Sequence, residues 1–245
     1  MTTDPTTLAF IALALIVAGF AKGVSGTGLP LVAVPLLTLA VDLPLAVALI
    51  SVSLVGTNIV QAAGSSMLAP AVQRYWPLMV LIVPGTLLGT FLLAHTDPAV
   101  LERAAGALVV AFVVFLFAAP DVYLPRRWLR VAAPAAGFLA GVTGGMTAIF
   151  APPLLVLLLW VREGKEVFVA VLALSYIVAS VAMILFLARF SLMNMGLFLW
   201  STAAMAPVLV GQAVGTRVRR FVSERTFQRV VQLILLAAGL KLLLA

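Results

Sequence analysis

A single cation stands well inside an apolar run of this chain. It is Lys22, within Gly19–Leu37 (GFAKGVSGTGLPLVAVPLL), immediately before the stretch Gly23-Val24-Ser25-Gly26-Thr27-Gly28. A lysine in hydrocarbon costs several kcal/mol unless it faces a cavity or an anion, so it marks a candidate functional position. The alternative is a lysine that snorkels to the interface. Lys22 lies about 14 residues into its segment, roughly 21 Å along a helix, which is deep for snorkelling. The adjoining glycines let the backbone leave helical geometry. The hydroxyls of Ser25 and Thr27 can replace the lost backbone partners. A half-helix starting after such a break points free N–H groups and the positive end of its dipole at whatever lies before it. The chemistry implied is non-covalent binding of an anion.

The same motif recurs at Gly137–Leu155 (GFLAGVTGGMTAIFAPPLL), pairing Gly19 with Gly137, Gly23 with Gly141, Ser25 with Thr143, Gly26 with Gly144 and Pro35 with Pro153. It adds Gly141, Thr143, Gly144 and Gly145 to the candidate site, with Thr147 as a further hydroxyl. The counterpart of Lys22 is Ala140, so the site is expected to be asymmetric. A tight helix crossing built on small residues is the competing explanation for both motifs. Pro35 and Pro153 read as kinks that each leave a carbonyl free. Further along, Ser51, Asn58 and Ser65 recur every seven residues on one helical face, with Ser175 and Ser180 at the matching places of the second half. Asn58 and Ser175 are expected to line the anion's route, although interhelical hydrogen bonding explains the stripe equally well. Gly85/Gly89 and Gly211/Gly215 read as packing contacts, and His95 as a boundary residue.

Other chemistries lack their residues. All eight acids lie in loops or at segment ends, which removes the usual cation ligands and carboxylate proton relays from the membrane interior. Cysteine is absent. No HExxH, serine–histidine pair or carboxylate dyad falls within the apolar segments, so an enzyme is disfavoured and no cofactor or metal is expected. A non-transporting assembly or sensor subunit remains the alternative. The net charge of +7 comes from short basic clusters between apolar segments, a pattern of membrane-protein loops and not of a nucleic-acid surface.

Positioning these residues falls to membrane helices. With 64% hydrophobic and 9% charged residues, the chain reads as an all-α, multi-pass membrane protein with the lipid bilayer as a partner. Eight apolar segments are expected, at 8–41, 44–63, 75–95, 99–119, 129–160, 166–188, 192–215 and 226–244. Residues 8–20 read as retained structure and not a cleaved signal. The first and fifth segments exceed one span, and each carries the break, so each is a broken helix or a re-entrant hairpin. Two homologous repeats, 1–119 and 120–245, form one membrane domain. Treating both long segments as spans divides the loop cations eight against six; treating both as re-entrant divides them eleven against three, as the positive-inside rule expects. Three full spans per repeat would invert the second repeat relative to the first and leave both termini extracytoplasmic.

At its paired motifs the chain resembles the TauE/SafE sulfite exporter family. The matching residues are Gly23, Ser25, Gly26 and Gly28 followed by Val34-Pro35-Leu36-Leu37, and Gly141, Thr143, Gly144 and Gly145 followed by Pro153-Leu154-Leu155. The resemblance implies transport of sulfite, sulfonates or related small organic anions across a bacterial cytoplasmic (inner) membrane. The second motif departs from the pattern at Met146. Together these readings make Lys22 the source of charge, with the two breaks meeting near mid-depth; the oligomeric state stays open between monomer and homo-oligomer.

Overall fold

The computed structural model describes residues 4–118 and 122–219, and the described chain is helical without strands. The expected segment at 226–244, with Arg220, Arg225, Arg229 and Lys241, lies outside the described residues. Helices α1 (Pro5–Ser25) and α2 (Leu29–Leu37) fall on the first apolar segment. Then come α3 (Leu43–Ala63), α4 (Leu68–His95) and α5 (Pro98–Ala118). Helices α6 (Leu129–Thr147) and α7 (Ala151–Val161) share the fifth segment, and α8 (Lys165–Arg189) and α9 (Met195–Val218) follow. Five of these, α1, α3, α4, α8 and α9, are long and apolar enough to cross a membrane by length and composition.

Several helices start where an aspartate can accept from a free backbone N–H. Asp4 accepts from Thr7 N–H at 3.2 Å, Asp42 from Leu45 N–H at 3.0 Å and Asp97 from Ala99 N–H at 2.9 Å. The hydroxyls of Thr6 and Thr7 also donate to the Asp4 carboxylate and hold its pKa below the ordinary range.

The described residues gather into two compact units that do not follow the halves of the sequence. One contains the chain up to Ser53, Thr96–Ala118 and the stretch from Met195 onward; the other contains Leu54–His95 and the stretch ending at Asn194. In the first unit α1 packs along α9. A methyl group on Gly19 would strike the Val208 carbonyl, and one on Gly23 the Gln212 carbonyl. Gly211 and Gly215 meet the carbonyls of Ile16 and Phe20 in return. The positions ascend together, so the two helices run parallel. Ser201 of α9 also enters the backbone ladder of α3, donating to Leu49 C=O at 2.9 Å and accepting from Val52 N–H at 3.2 Å.

The second unit repeats this contact pattern with α6 on α4. Methyls on Gly137, Gly141 and Gly145 would meet the carbonyls of Leu78, Ile82 and Thr86, while those on Gly85 and Gly89 would meet Phe138 and Val142. Small residues at every such position allow backbone-to-backbone approach, the membrane counterpart of a buried core. Helix α8 lies parallel to α4. Arg74 near the start of α4 bonds Glu163 just before α8 at 2.8 Å, and His95 at the end of α4 packs edge-on against Phe190 just after α8.

The fifth segment turns back on itself. Leu124 N–H, ahead of α6, donates to the Trp160 carbonyl near the end of α7 at 2.8 Å. Arg162 lies over the Tyr123 ring, and Arg126 approaches Glu163 at 3.9 Å. Both ends of α6–α7 therefore sit beside the start of α4, and the pair forms a hairpin instead of a span.

Candidate functional site

In the first unit the break is built by one serine and one glycine. Helix α1 ends at Ser25, and Gly26 takes a left-handed φ of 84°, with its N–H donating to Lys22 C=O at 2.6 Å. A side chain would strain there, which accounts for the glycine. Ser25 Oγ donates back to Ala21 C=O at 2.8 Å and accepts from Gly28 N–H at 3.0 Å and Thr27 N–H at 3.3 Å. Helix α2 then begins at Leu29, with Pro30 in its first turn and no side-chain cap. The N–H groups of Leu29 and Leu31 have no intrahelical acceptor, and Pro30 has no N–H at all. In the last turn of α1, just before the break, Lys22 is only 3% exposed, whereas Ser25 is exposed and Thr27 half-buried. A buried cation, two backbone donors and a helix N-terminus thus fall within one short stretch of chain whose turn carries the exposed Ser25, a combination that suits a small anion.

The second break uses the same geometry one helical turn later than the sequence match places it. Helix α6 continues to Thr147, and Ala148 is the left-handed residue at φ 62°. Its N–H donates to Gly144 C=O at 2.6 Å, as that of Gly26 does to Lys22. Thr147 Oγ1 donates to Thr143 C=O at 2.7 Å and accepts from Ile149 N–H at 3.2 Å, repeating what Ser25 does. Contacts therefore pair Ser25 with Thr147, Gly26 with Ala148, Lys22 with Gly144 and Pro30 with Pro152. The sequence pairing of Ser25 with Thr143 and of Lys22 with Ala140 is corrected accordingly. The cause is the glycine spacing: a slip of one turn sets Gly19 and Gly23 over Gly141 and Gly145 in place of Gly137 and Gly141, and glycine still matches glycine.

The two breaks differ in chemistry. Where the first has Lys22 and Gly28, the second has Gly144 and Phe150. The Phe150 ring occupies the space that a side chain on Gly144 would need, and it packs edge-on against Tyr176 at 5.4 Å. The first turn of α7 carries Pro152 and Pro153, so among its first three residues Ala151 alone has an N–H. Pro153 is consequently not a kink: it sits where helix N–H groups lack partners anyway, and it frees no carbonyl within α7. Pro35, by contrast, does lie inside α2.

The remaining candidates divide by environment. Thr143 lies a turn before the break and donates to the carbonyls of Leu139 and Ala140 at 3.1 and 3.2 Å. Gly23 faces α9, while Gly141 and Gly145 face α4, all as packing surfaces. Asn58 is buried, and its Nδ2 donates to Leu54 C=O at 2.7 Å within α3. Ser175 is fully buried, and its hydroxyl has no hydrogen-bond partner among the described residues. Sequence reasoning gave Phe150 and Tyr176 no role at the break. An alignment anchored on Pro30 and Pro152, each in the first turn of its half-helix, would have exposed both the register and the phenylalanine.

The family model described as "Sulfite exporter TauE/SafE" matches residues 11–242, nearly the whole chain. No curated protein and no solved structure shows significant similarity to it.

Proposed function

The chain belongs to the TauE/SafE sulfite exporter family of multi-pass membrane proteins, and from that membership we propose that it carries sulfite, or a sulfonate of similar size, out across a bacterial cytoplasmic membrane. The observation that carries this reading is the chemical asymmetry of the two breaks. The first offers an anion a buried ammonium at Lys22, the donors of Thr27, Leu29 and Leu31, and the dipole of α2. The second is closed by Phe150 and stripped of donors by Pro152 and Pro153. Lys22 and the segment Ser25–Gly28 are thus the proposed binding element, with Gly23, Gly141, Gly144 and Gly145 allowing close approach of helices or rings. Asn58 and Ser175 are proposed to border the route. An inside-negative potential contributes roughly 2.3 kcal/mol per charge per 100 mV toward anion efflux, so export needs no coupled ion.

The matching contact patterns of α1 on α9 and α6 on α4 support a duplicated architecture; we propose further that the halves are inverted and that residues 8–41 form a hairpin like that of 129–160. The test is sulfite flux in proteoliposomes under an imposed potential. Lys22→Ala removes a charge-assisted contact, and a flux loss of about 10- to 100-fold is expected. Unchanged flux in Lys22→Ala would sink the assignment of this lysine. Absence of sulfite flux in the unmodified protein would sink the substrate.

A further inference from the structure

The second unit carries a basic pocket that the transport reading does not use. A cavity of about 610 Å³ opens where the start of α4 meets the turn entering α6, within the size range of small-molecule sites. Arg74, Arg126 and Arg130 line it together with Pro77, the buried Leu129 and the exposed Trp76. One carboxylate serves this cluster. Glu163 bonds Arg74 at 2.8 Å, approaches Arg126 at 3.9 Å and accepts from Tyr75 Oη at 3.0 Å, while its own side chain is 2% exposed. Arg130 makes no ion pair among the described residues. Three guanidinium groups against one buried carboxylate leave the cavity an excess of positive charge.

Depth identifies the ligand. Trp76 and Trp128 are both more than half exposed and lie at the start of α4 and just before α6. Exposed tryptophans of this kind mark the headgroup level of a membrane. Six of the seven basic residues of this unit stand at this end, with Arg189 at the other, so by the positive-inside rule this is the cytoplasmic face. A pocket lined by three guanidinium groups and by apolar side chains, at the headgroup level of the anionic leaflet, matches a lipid phosphate with its glycerol backbone. We propose that this pocket binds the phosphodiester headgroup of an anionic phospholipid.

The test is native mass spectrometry of the full-length protein in detergent, titrated with phosphatidylglycerol or with phosphatidylcholine. Phosphatidylglycerol should bind in preference, and Arg126→Gln/Arg130→Gln should weaken it by about 30-fold, the effect of two lost surface cations. Arg189→Gln should leave it unchanged. Should the double variant melt below the unmodified protein, Arg130→Gln alone carries the test, with a loss of about 5-fold expected from one cation. Equal binding of the two lipids, or undiminished phosphatidylglycerol binding by the variants, overturns the proposal. Glycerol 3-phosphate is the control for a soluble ligand: failure to displace the lipid supports the lipid site, and displacement at concentrations comparable to the lipid overturns it in favour of a free-anion site.

Discussion

Glu163 shows how little of a charge's role is visible until its partners are known. In the sequence it is one acid in a short loop between apolar segments; in the fold its carboxylate is buried and joins α4, the turn before α6 and the start of α8. Glu163→Gln should lower stability by about 1–3 kcal/mol, because Arg74 and Tyr75 lose a charged acceptor. Arg126→Gln should cost no more than about 0.5 kcal/mol, since that side chain is 63% exposed and sits at 3.9 Å. Thermal unfolding in detergent measures both, and equal losses would contradict the geometry. Lys22 was readable without the structure, because a lone lysine deep in an apolar segment needs an explanation wherever the helices go. Thr147 stood in the sequence as a further hydroxyl, but its role as the counterpart of Ser25 was not legible there. Glycines repeating at every turn make a one-turn slip invisible, and only hydroxyl-to-backbone bonds distinguish Thr143 from Thr147.

The helices themselves were largely set by hydropathy and glycine. The described helices α1 to α9 fall on the first seven apolar segments, and the two overlong ones are both interrupted, the first at Gly26 and the second at Ala148, just beyond its glycines. Which glycine serves which purpose was not readable, since a glycine that breaks a helix and one that admits a neighbouring backbone look alike in sequence. Gly26 alone among them has a left-handed φ, while Gly141 is an ordinary helical residue pressed on Ile82 of α4. Gly141→Ala should therefore push α4 and α6 apart at a cost of about 1–3 kcal/mol. Gly64→Ala meets only an ordinary contact at 3.7 Å with the Gln61 carbonyl and should stay within about 0.5 kcal/mol. Melting temperatures of the two variants in one detergent decide the matter, and a tolerated alanine at Gly141 would mean that the helices do not touch there.

Loop charge alone favoured re-entrant long segments, and the contacts of the second unit supply an independent reason for the one at 129–160. Leu124 N–H could not reach Trp160 C=O, nor Arg126 approach Glu163, if that segment crossed the bilayer, because its two ends would then be separated by about 30 Å of hydrocarbon. The hairpin fixes how sidedness runs along this part of the chain. Arg127, ahead of α6, and Lys165, opening α8, share a face; Arg189, at the end of α8 and beside Phe190, which packs against His95 of α4, lies opposite. If 129–160 were a span, Arg127 and Arg189 would share a face and Lys165 would stand apart. All three side chains are exposed, and the chain has no cysteine, so single Arg127→Cys, Lys165→Cys and Arg189→Cys variants give an unambiguous background. With an impermeant maleimide applied to one side of sealed vesicles, Arg127→Cys and Lys165→Cys should label together, and Arg189→Cys only from the other side. Grouping of Arg127→Cys with Arg189→Cys would overturn the hairpin, and with it the sidedness on which the lipid pocket and the inverted halves depend.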